Sequence, residues 1–108
     1  MAEIVDKDPD EIQSWIDDGA AYLVDVREDN ELLQARIPNT DLHLPLSRFD
    51  PSQVPPDSGK KLVFICAQGI RSVQAGQYLL DNDFITEAYN LKDGIAGWHR
   101  FGLPLEMG

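Results

Sequence analysis

The chain has 108 residues, of which 43% are hydrophobic, and its 19 acidic and 9 basic residues give a formal net charge of −10. That length predicts one domain, residues 1–108, with a single modest core. The strongly acidic balance argues against nucleic acid and an anionic membrane surface as partners.

The sequence also limits where in the cell the protein is expected and whether it is expected to hold a metal or a cofactor. Residues 1–6 lack a basic region followed by an apolar core, so no signal peptide is predicted. No apolar run approaches the roughly 20 residues that a membrane-spanning helix needs, and we expect a cytoplasmic protein. Cys66, His43 and His99 are too few for a structural zinc site, which usually has four ligands. We therefore expect neither a metal nor a cofactor.

The first quarter of the chain predicts strand, helix and strand. Residues 3–5 favour a short edge strand. Asp8 and Pro9 are typical of a helix start and Gly19 of a helix end. Between them the apolar side chains follow helical spacing, at Ile12, Trp15 and Ile16. Residues 21–26 form a near-continuous apolar run, which is typical of a parallel strand covered on both faces.

One charged residue interrupts that second strand. Asp25 lies among apolar neighbours, and a buried carboxylate must be paired because burying a lone charge is very costly. Arg27 falls on the same face of the strand as Asp25, since side chains alternate with a period of two. The pattern therefore predicts that Arg27 is near Asp25. Residues 28–35 then predict a short helix.

The middle of the chain is rich in turn signals. Residues 37–40 predict a turn, and Asn39 can tolerate a left-handed conformation there. Residues 42–44 predict a third strand, and residues 45–49 a helical turn. Residues 50–59 contain three prolines and a glycine and predict a surface connection within the domain.

The second half repeats the strand–helix alternation. Residues 62–65 predict a buried strand, residues 73–80 a helix and residues 88–91 the last strand. Asp93 is a good cap for a final helix that ends before Gly102. Strands alternating with helices predict an α/β fold, and five strands fit a parallel sheet.

The loop between the fourth predicted strand and its helix contains the residues with the clearest chemistry. In parallel α/β sheets ligands bind at the carboxyl ends of strands, which is where Cys66 falls. The following helix N-terminus and the loop amides can surround one anion, and Gly69 lets the backbone curl. Arg71 adds a planar cation suited to oxyanions. This arrangement predicts a lowered thiol pKa at Cys66 and a bound tetrahedral anion beside it.

Each of these residues also has a plainer interpretation. A lone cysteine that ends a buried strand is often a small hydrophobic residue. Arg71 can be a solvated helix residue, and Ser72 only a helix cap. The joint spacing of Cys66, Gly69, Arg71 and Ser72 argues against independent coincidences.

Residues 66–72, Cys-Ala-Gln-Gly-Ile-Arg-Ser, resemble the active-site loop of rhodanese-domain sulfurtransferases. Further similarities follow in the same order along the chain, at residues 23–28, 37–38, 44–46, 90–98 and 102–104. The resemblance implies a three-layer α/β/α rhodanese fold with a five-stranded parallel sheet. It also implies that Asp25 and Arg27 support the turns around the active-site loop.

The resemblance implies sulfur transfer through a persulfide on Cys66. The cysteine takes sulfur from a small anionic donor such as thiosulfate and passes it to cyanide, to a small thiol or to a protein thiol. The implied anion-binding loop comprises Ala67, Gln68, Gly69, Ile70, Arg71 and Ser72. No general base is needed if the thiolate is already formed.

The sequence departs from the family pattern in two places. Many family loops have a basic residue directly after the cysteine, whereas here Ala67 and Gln68 follow it. With one cation and an acidic surface, we expect weak binding of free thiosulfate and a protein or small-molecule persulfide as donor. Ala35 and Arg36 replace the family's usual glycine and histidine, and Asn39 replaces a glycine.

Two other functions compete with sulfur transfer. Phosphatases with a related loop have five residues between cysteine and arginine, and here only four separate Cys66 from Arg71. The shorter loop favours sulfur over a phosphoryl group. Alternatively, the protein is a catalytically idle interaction or regulatory module in which the thiol does nothing.

Overall fold

The structure is a computed structural model that describes residues 2–55 and 59–107. In that part of the chain the strands, in order, are β1 (Val5–Lys7), β2 (Ala21–Asp25), β3 (Ala35–Arg36), β4 (Leu42–His43), β5 (Lys61–Ile65), β6 (Tyr89–Leu91) and β7 (Glu106–Met107). The helices are α1 (Pro9–Asp17), α2 (Asp29–Leu32), α3 (Arg71–Asp81) and α4 (Gly94–Arg100). Short 3₁₀ turns occupy Leu46–Arg48 and Pro51–Gln53.

A five-stranded parallel sheet forms the centre of the molecule, in the order β1-β6-β5-β2-β4. This confirms the predicted α/β fold and its five parallel strands. The middle strand β5 is buried from Leu62 to Ile65, because helices cover both faces of the sheet. β1 lies at one edge, as predicted for the N-terminal strand.

Two apolar clusters, one on each face of the sheet, give the three layers. The first packs Phe64 of β5 against Ala75 and Leu79 of α3. The second packs Ile12 of α1 and Trp98 of α4 on the opposite face of the sheet. Alternate side chains of β5 point to opposite faces, so this one strand contributes to both clusters.

Helix α1 follows the predicted limits, but its cap differs. The helix begins at Pro9, and Gly19 lies just beyond its end with φ of 69°. Asp8 occupies the N-cap position without a side-chain cap hydrogen bond. Its backbone carbonyl instead accepts hydrogen bonds from the amides of Glu11 and Ile12.

The predicted helix over residues 28–35 is shorter in the structure. Helix α2 covers Asp29–Leu32, where Glu28 and Glu31 form a reciprocal capping box. Ala35–Arg36 then pairs with Glu106–Met107 as a small antiparallel sheet. The sequence did not predict this pair, because two-residue strands are too short for an alternating pattern.

Other local predictions match the structure in part. Asn39 has φ of 63°, as the predicted turn requires. Helix α3 begins at Arg71, two residues before its predicted start. Within the predicted connection over residues 50–59, residues 56–58 lie outside the described part of the chain. None of the helices within residues 2–55 and 59–107 has the length and apolarity that a bilayer crossing requires.

Candidate active site

Cys66 lies immediately after β5, in the short loop that leads to α3. Its side chain is 1% exposed, and the backbone amide of Gly69 donates a hydrogen bond to Sγ at 3.0 Å. Gly69 has φ of 86°, a conformation that favours glycine, and this lets the loop turn its amide back toward the sulfur. The loop therefore directs a hydrogen-bond donor at the thiol.

The surroundings of Cys66 favour the thiolate. Burial raises the pKa of the Cys66 thiol, but hydrogen bonds that the thiolate can accept from the Ser72 hydroxyl and from the backbone at Ser72, Gln68 and Gly69 lower it by more. The net effect is a pKa below the usual value for cysteine. Because the thiolate is the nucleophilic form, the loop increases the reactive fraction of Cys66.

Ser72 connects Cys66 to Asn90 on β6. The Ser72 hydroxyl lies 3.1 Å from Sγ and also donates a hydrogen bond to Asn90 Oδ1. Ser72 is therefore more than a helix cap, which was one of its predicted roles. Asn90 had no predicted role in the site. The sequence feature that could have identified Asn90 is a polar side chain within an apolar strand, because a buried polar side chain needs a hydrogen-bond partner.

Helix α4 fixes the start of the loop. The amides of Ile95 and Ala96 donate to the carbonyls of Cys66 and Ala67, at 2.9 and 3.1 Å. In a trans peptide the N–H points away from the C=O of the same unit. The amides of Ala67 and Gln68 therefore point away from α4. The Gln68 amide is among the backbone groups that hydrogen-bond Cys66, and the part of both amides in an anion site stays a prediction.

Arg71 does not stand free beside the loop. Its two terminal nitrogens donate to the two carboxylate oxygens of Glu31 on α2, both at 2.8 Å. The hydrogen bonds from Arg71 lower the pKa of Glu31 to about 2, so this carboxylate is charged at neutral pH. This partner was not predicted, because Glu31 precedes Arg71 by 40 residues and no sequence pattern links the two.

Asp25 and Arg27, which the sequence places on the same side of the chain, form a buried ion pair. Arg27 Nη2 lies 2.9 Å from Asp25 Oδ2, and the side chains are 5% and 1% exposed. Arg27 Nη2 also donates to the carbonyl of Ala35 at 2.8 Å. The pair thus connects the end of β2 to β3. Neither residue hydrogen-bonds Cys66, so their supporting role in the site stays a prediction.

A groove with a volume of about 440 Å³ borders the loop at Ala67 and Gln68. Its walls are largely apolar and come from β3, α4 and the C-terminal segment, where the lining side chains include Ala35, Ile95 and Met107. His99 also lines this groove and is exposed. Within residues 2–55 and 59–107 there is no group of His, Cys, Asp and Glu side chains that could hold a metal.

A comparison with protein families adds to this geometry. The model of the Rhodanese-like domain matches residues 8–101. The chain belongs to the rhodanese-like domain family. Among curated relatives, a protein named "Sulfurtransferase" from Allochromatium vinosum is 36% identical over 95 residues, which cover 86% of this chain and 85% of that protein. "Thiosulfate sulfurtransferase GlpE" from Vibrio cholerae is 30% identical over 94 residues, with 87% of both chains covered.

Two further similar proteins differ in how much of their own length the match covers. "Uncharacterized protein slr1261" from Synechocystis is 38% identical over 97 residues, and the match spans 89% of this chain but only about half (52%) of that protein. A rhodanese-related protein from Thermoplasma volcanium has a crystal structure that superposes with a TM-score of 0.81 at 27% identity. That superposition covers 96% of this chain and 99% of the other.

Proposed function

We propose that this rhodanese-like protein is a sulfurtransferase that carries sulfane sulfur as a persulfide on Cys66. The observation that carries the proposal is the setting of Sγ, which accepts a hydrogen bond from the Gly69 amide at 3.0 Å and has a lowered pKa. A relative named as a sulfurtransferase, at 36% identity over most of the chain, supports the same reaction class.

The proposed reaction has two steps. The Cys66 thiolate attacks the outer sulfur of thiosulfate and forms a new S–S bond with it. The bond between the outer and the central sulfur of thiosulfate breaks, and sulfite leaves with the electron pair of that bond. The terminal sulfur of the persulfide carries the negative charge. Cyanide or a thiolate acceptor then attacks this sulfur, and the Cys66 thiolate is regenerated. Loop amides aimed into the site stabilise the anionic sulfur in both steps.

The loop geometry favours a persulfide donor over free thiosulfate. Glu31 occupies both terminal nitrogens of Arg71, so a dianionic donor has to compete with a carboxylate for the cation. Ala67 supplies no second cation, and the chain has a net charge of −10. A persulfide carries one negative charge and needs less cationic stabilisation. We infer that a small or protein-bound persulfide is the better donor, with a small or protein thiol as acceptor.

Intact mass spectrometry tests the persulfide directly. After incubation of the reduced protein with thiosulfate or glutathione persulfide, we expect a gain of one sulfur atom that cyanide removes. The Cys66→Ser variant should show no gain, because Cys66 is the only cysteine. If neither donor adds sulfur to the wild-type protein, sulfur transfer is wrong and an interaction module becomes the better explanation.

Glu31→Gln is expected to improve thiosulfate as a donor. The variant removes the carboxylate that pairs with Arg71, so Arg71 is available to thiosulfate. KM for thiosulfate should therefore fall by about 3- to 10-fold, which corresponds to a gain of roughly 1 kcal/mol in the free energy of binding. Steady-state transfer to cyanide measures this change. Glu11→Gln is the matched control, because Glu11 pairs with Lys7 on the surface and the net charge changes equally. An equal fall in KM for both variants would mean that overall charge, not Glu31, limits thiosulfate binding.

A further inference from the structure

We propose that Asn90 is a positioning residue that holds the Ser72 hydroxyl proton away from Cys66 in the thiol state and gives it up when Cys66 ionises. This inference rests on the proposed function of Cys66 as the sulfur carrier. Its observable is the ionisation of the thiol, which can be measured without any sulfur donor.

The orientation of the Asn90 amide is set by its neighbours. Asn90 Nδ2 donates to Asp6 Oδ1 at 2.9 Å and to the Gly69 carbonyl at 3.2 Å. A backbone carbonyl and an ionised carboxylate can only accept hydrogen bonds. A flipped amide would place its oxygen against these two oxygens, so Oδ1 must face Ser72.

The proton count then decides the direction of the remaining hydrogen bonds. A serine hydroxyl has one hydrogen. Ser72 donates it to Asn90 Oδ1, so toward Cys66 its oxygen can only accept. The contact of 3.1 Å between Sγ and the Ser72 oxygen is therefore a hydrogen bond that the Cys66 thiol donates.

Ionisation of Cys66 reverses this arrangement. When the thiol proton leaves to solvent, the thiolate and the Ser72 oxygen face each other without a hydrogen between them. The hydroxyl resolves this by rotating toward Sγ, where it stabilises the thiolate. Asn90 Oδ1 then loses its donor.

That loss is costly because of where Asn90 lies. Asn90 is 2% exposed, so solvent cannot readily replace the hydroxyl. Among the described residues, every buried side-chain nitrogen and oxygen has a hydrogen-bond partner before ionisation. Leaving a buried acceptor unpaired is unfavourable. Asn90 therefore stabilises the thiol state relative to the thiolate and limits how far the loop lowers the pKa.

Charged groups from several elements lie near the hydrogen bonds that join Cys66, Ser72 and Asn90. Asp6 of β1 contacts Asn90, and the Glu31–Arg71 pair joins α2 to the start of α3. At the start of α4, Asp93 pairs with Arg100. The variants below leave all of these charges in place, so a change in thiol ionisation reports the hydrogen bonds and not a new charge.

The test is a pH titration of the Cys66 thiolate by its ultraviolet absorbance, with Cys66→Ser subtracted as the background. We expect Asn90→Ala to lower the pKa of Cys66 by about 0.5–1 unit, because the Ser72 proton is then free for the thiolate. In a Ser72→Ala background, Asn90→Ala should cause no further fall. An unchanged or raised pKa in Asn90→Ala, or an equal fall without Ser72, would overturn the proposal.

A second measurement needs no change at Asn90, so it can be made even if Asn90→Ala does not fold. It tests whether the Cys66 thiol donates its hydrogen bond to Ser72. The Raman S–H stretch of the protein arises from Cys66 alone, since there is one cysteine. A thiol that donates to Ser72 has a lower stretching frequency than the same thiol in Ser72→Ala. Equal frequencies in the two proteins would show that the thiol is not the donor. If the thiol behaves as expected but takes up no sulfur, only the sulfurtransferase function is wrong.

Discussion

Replacing Arg27 by methionine is expected to destabilise the protein by about 3–5 kcal/mol, the usual cost of removing one partner of a buried ion pair. Asp25 and Arg27 are almost completely buried, and their closest charged atoms are 2.9 Å apart. Methionine retains much of the apolar stem, so the loss arises mainly from the carboxylate that is left without its partner. The hydrogen bond from Arg27 to the Ala35 carbonyl is lost as well. Urea denaturation of the purified variant measures the change in the free energy of unfolding.

Arg48→Met is the matched control for this prediction. Arg48 pairs with Asp29 at 3.1 Å, but these side chains are 60% and 65% exposed. Exposed pairs contribute little, so this variant should lose less than about 1 kcal/mol. The double variant Asp25→Leu/Arg27→Met should recover part of the loss, because it leaves no buried charge unpaired. If Arg27→Met and Arg48→Met lost the same free energy of unfolding, burial would not be what makes the Asp25–Arg27 pair important for stability.

The features that the sequence predicted well are local ones. The strand, loop and helix around Cys66 lie in one continuous segment, so apolar periodicity and a glycine suffice to place them. The nearness of Asp25 and Arg27 was predictable for the same reason, since side chains two positions apart in an extended segment point to the same side. What these residues do in the reaction stays a prediction.

The features that were not predicted from the sequence join distant segments. Glu31 meets Arg71 across two helices, and Asn90 meets Ser72 across a strand and a helix. No periodicity links such residues, because their contact depends on how the elements pack. A buried asparagine in a strand signals that some partner exists but does not identify it. For Arg71 this changed the interpretation of the site, because a cation expected to be free is already paired.

Replacing Gly94 by alanine is expected to cost about 2–5 kcal/mol of stability and to disturb the thiol site of the protein that still folds. Gly94 has φ of 60°, and a Cβ there would lie 2.3 Å from the Cys66 carbonyl oxygen and 2.6 Å from that of Ala67. Because these atoms are backbone, the clash can be relieved only by moving α4 away from the loop. The hydrogen bonds from Ile95 and Ala96 that hold the two carbonyls would lengthen or break.

Gly19→Ala separates this clash from ordinary backbone strain. Gly19 has φ of 69°, yet a Cβ added there meets nothing within 4 Å. That variant should lose only the roughly 1–2 kcal/mol of left-handed strain and leave the Cys66 titration unchanged. In Gly94→Ala the pKa of Cys66 should rise, because the loop amides lose the orientation that favours the thiolate. Urea denaturation and thiolate titration of both variants give the two quantities. If Gly94→Ala matched Gly19→Ala in both, the contact between α4 and the loop would not control the thiol.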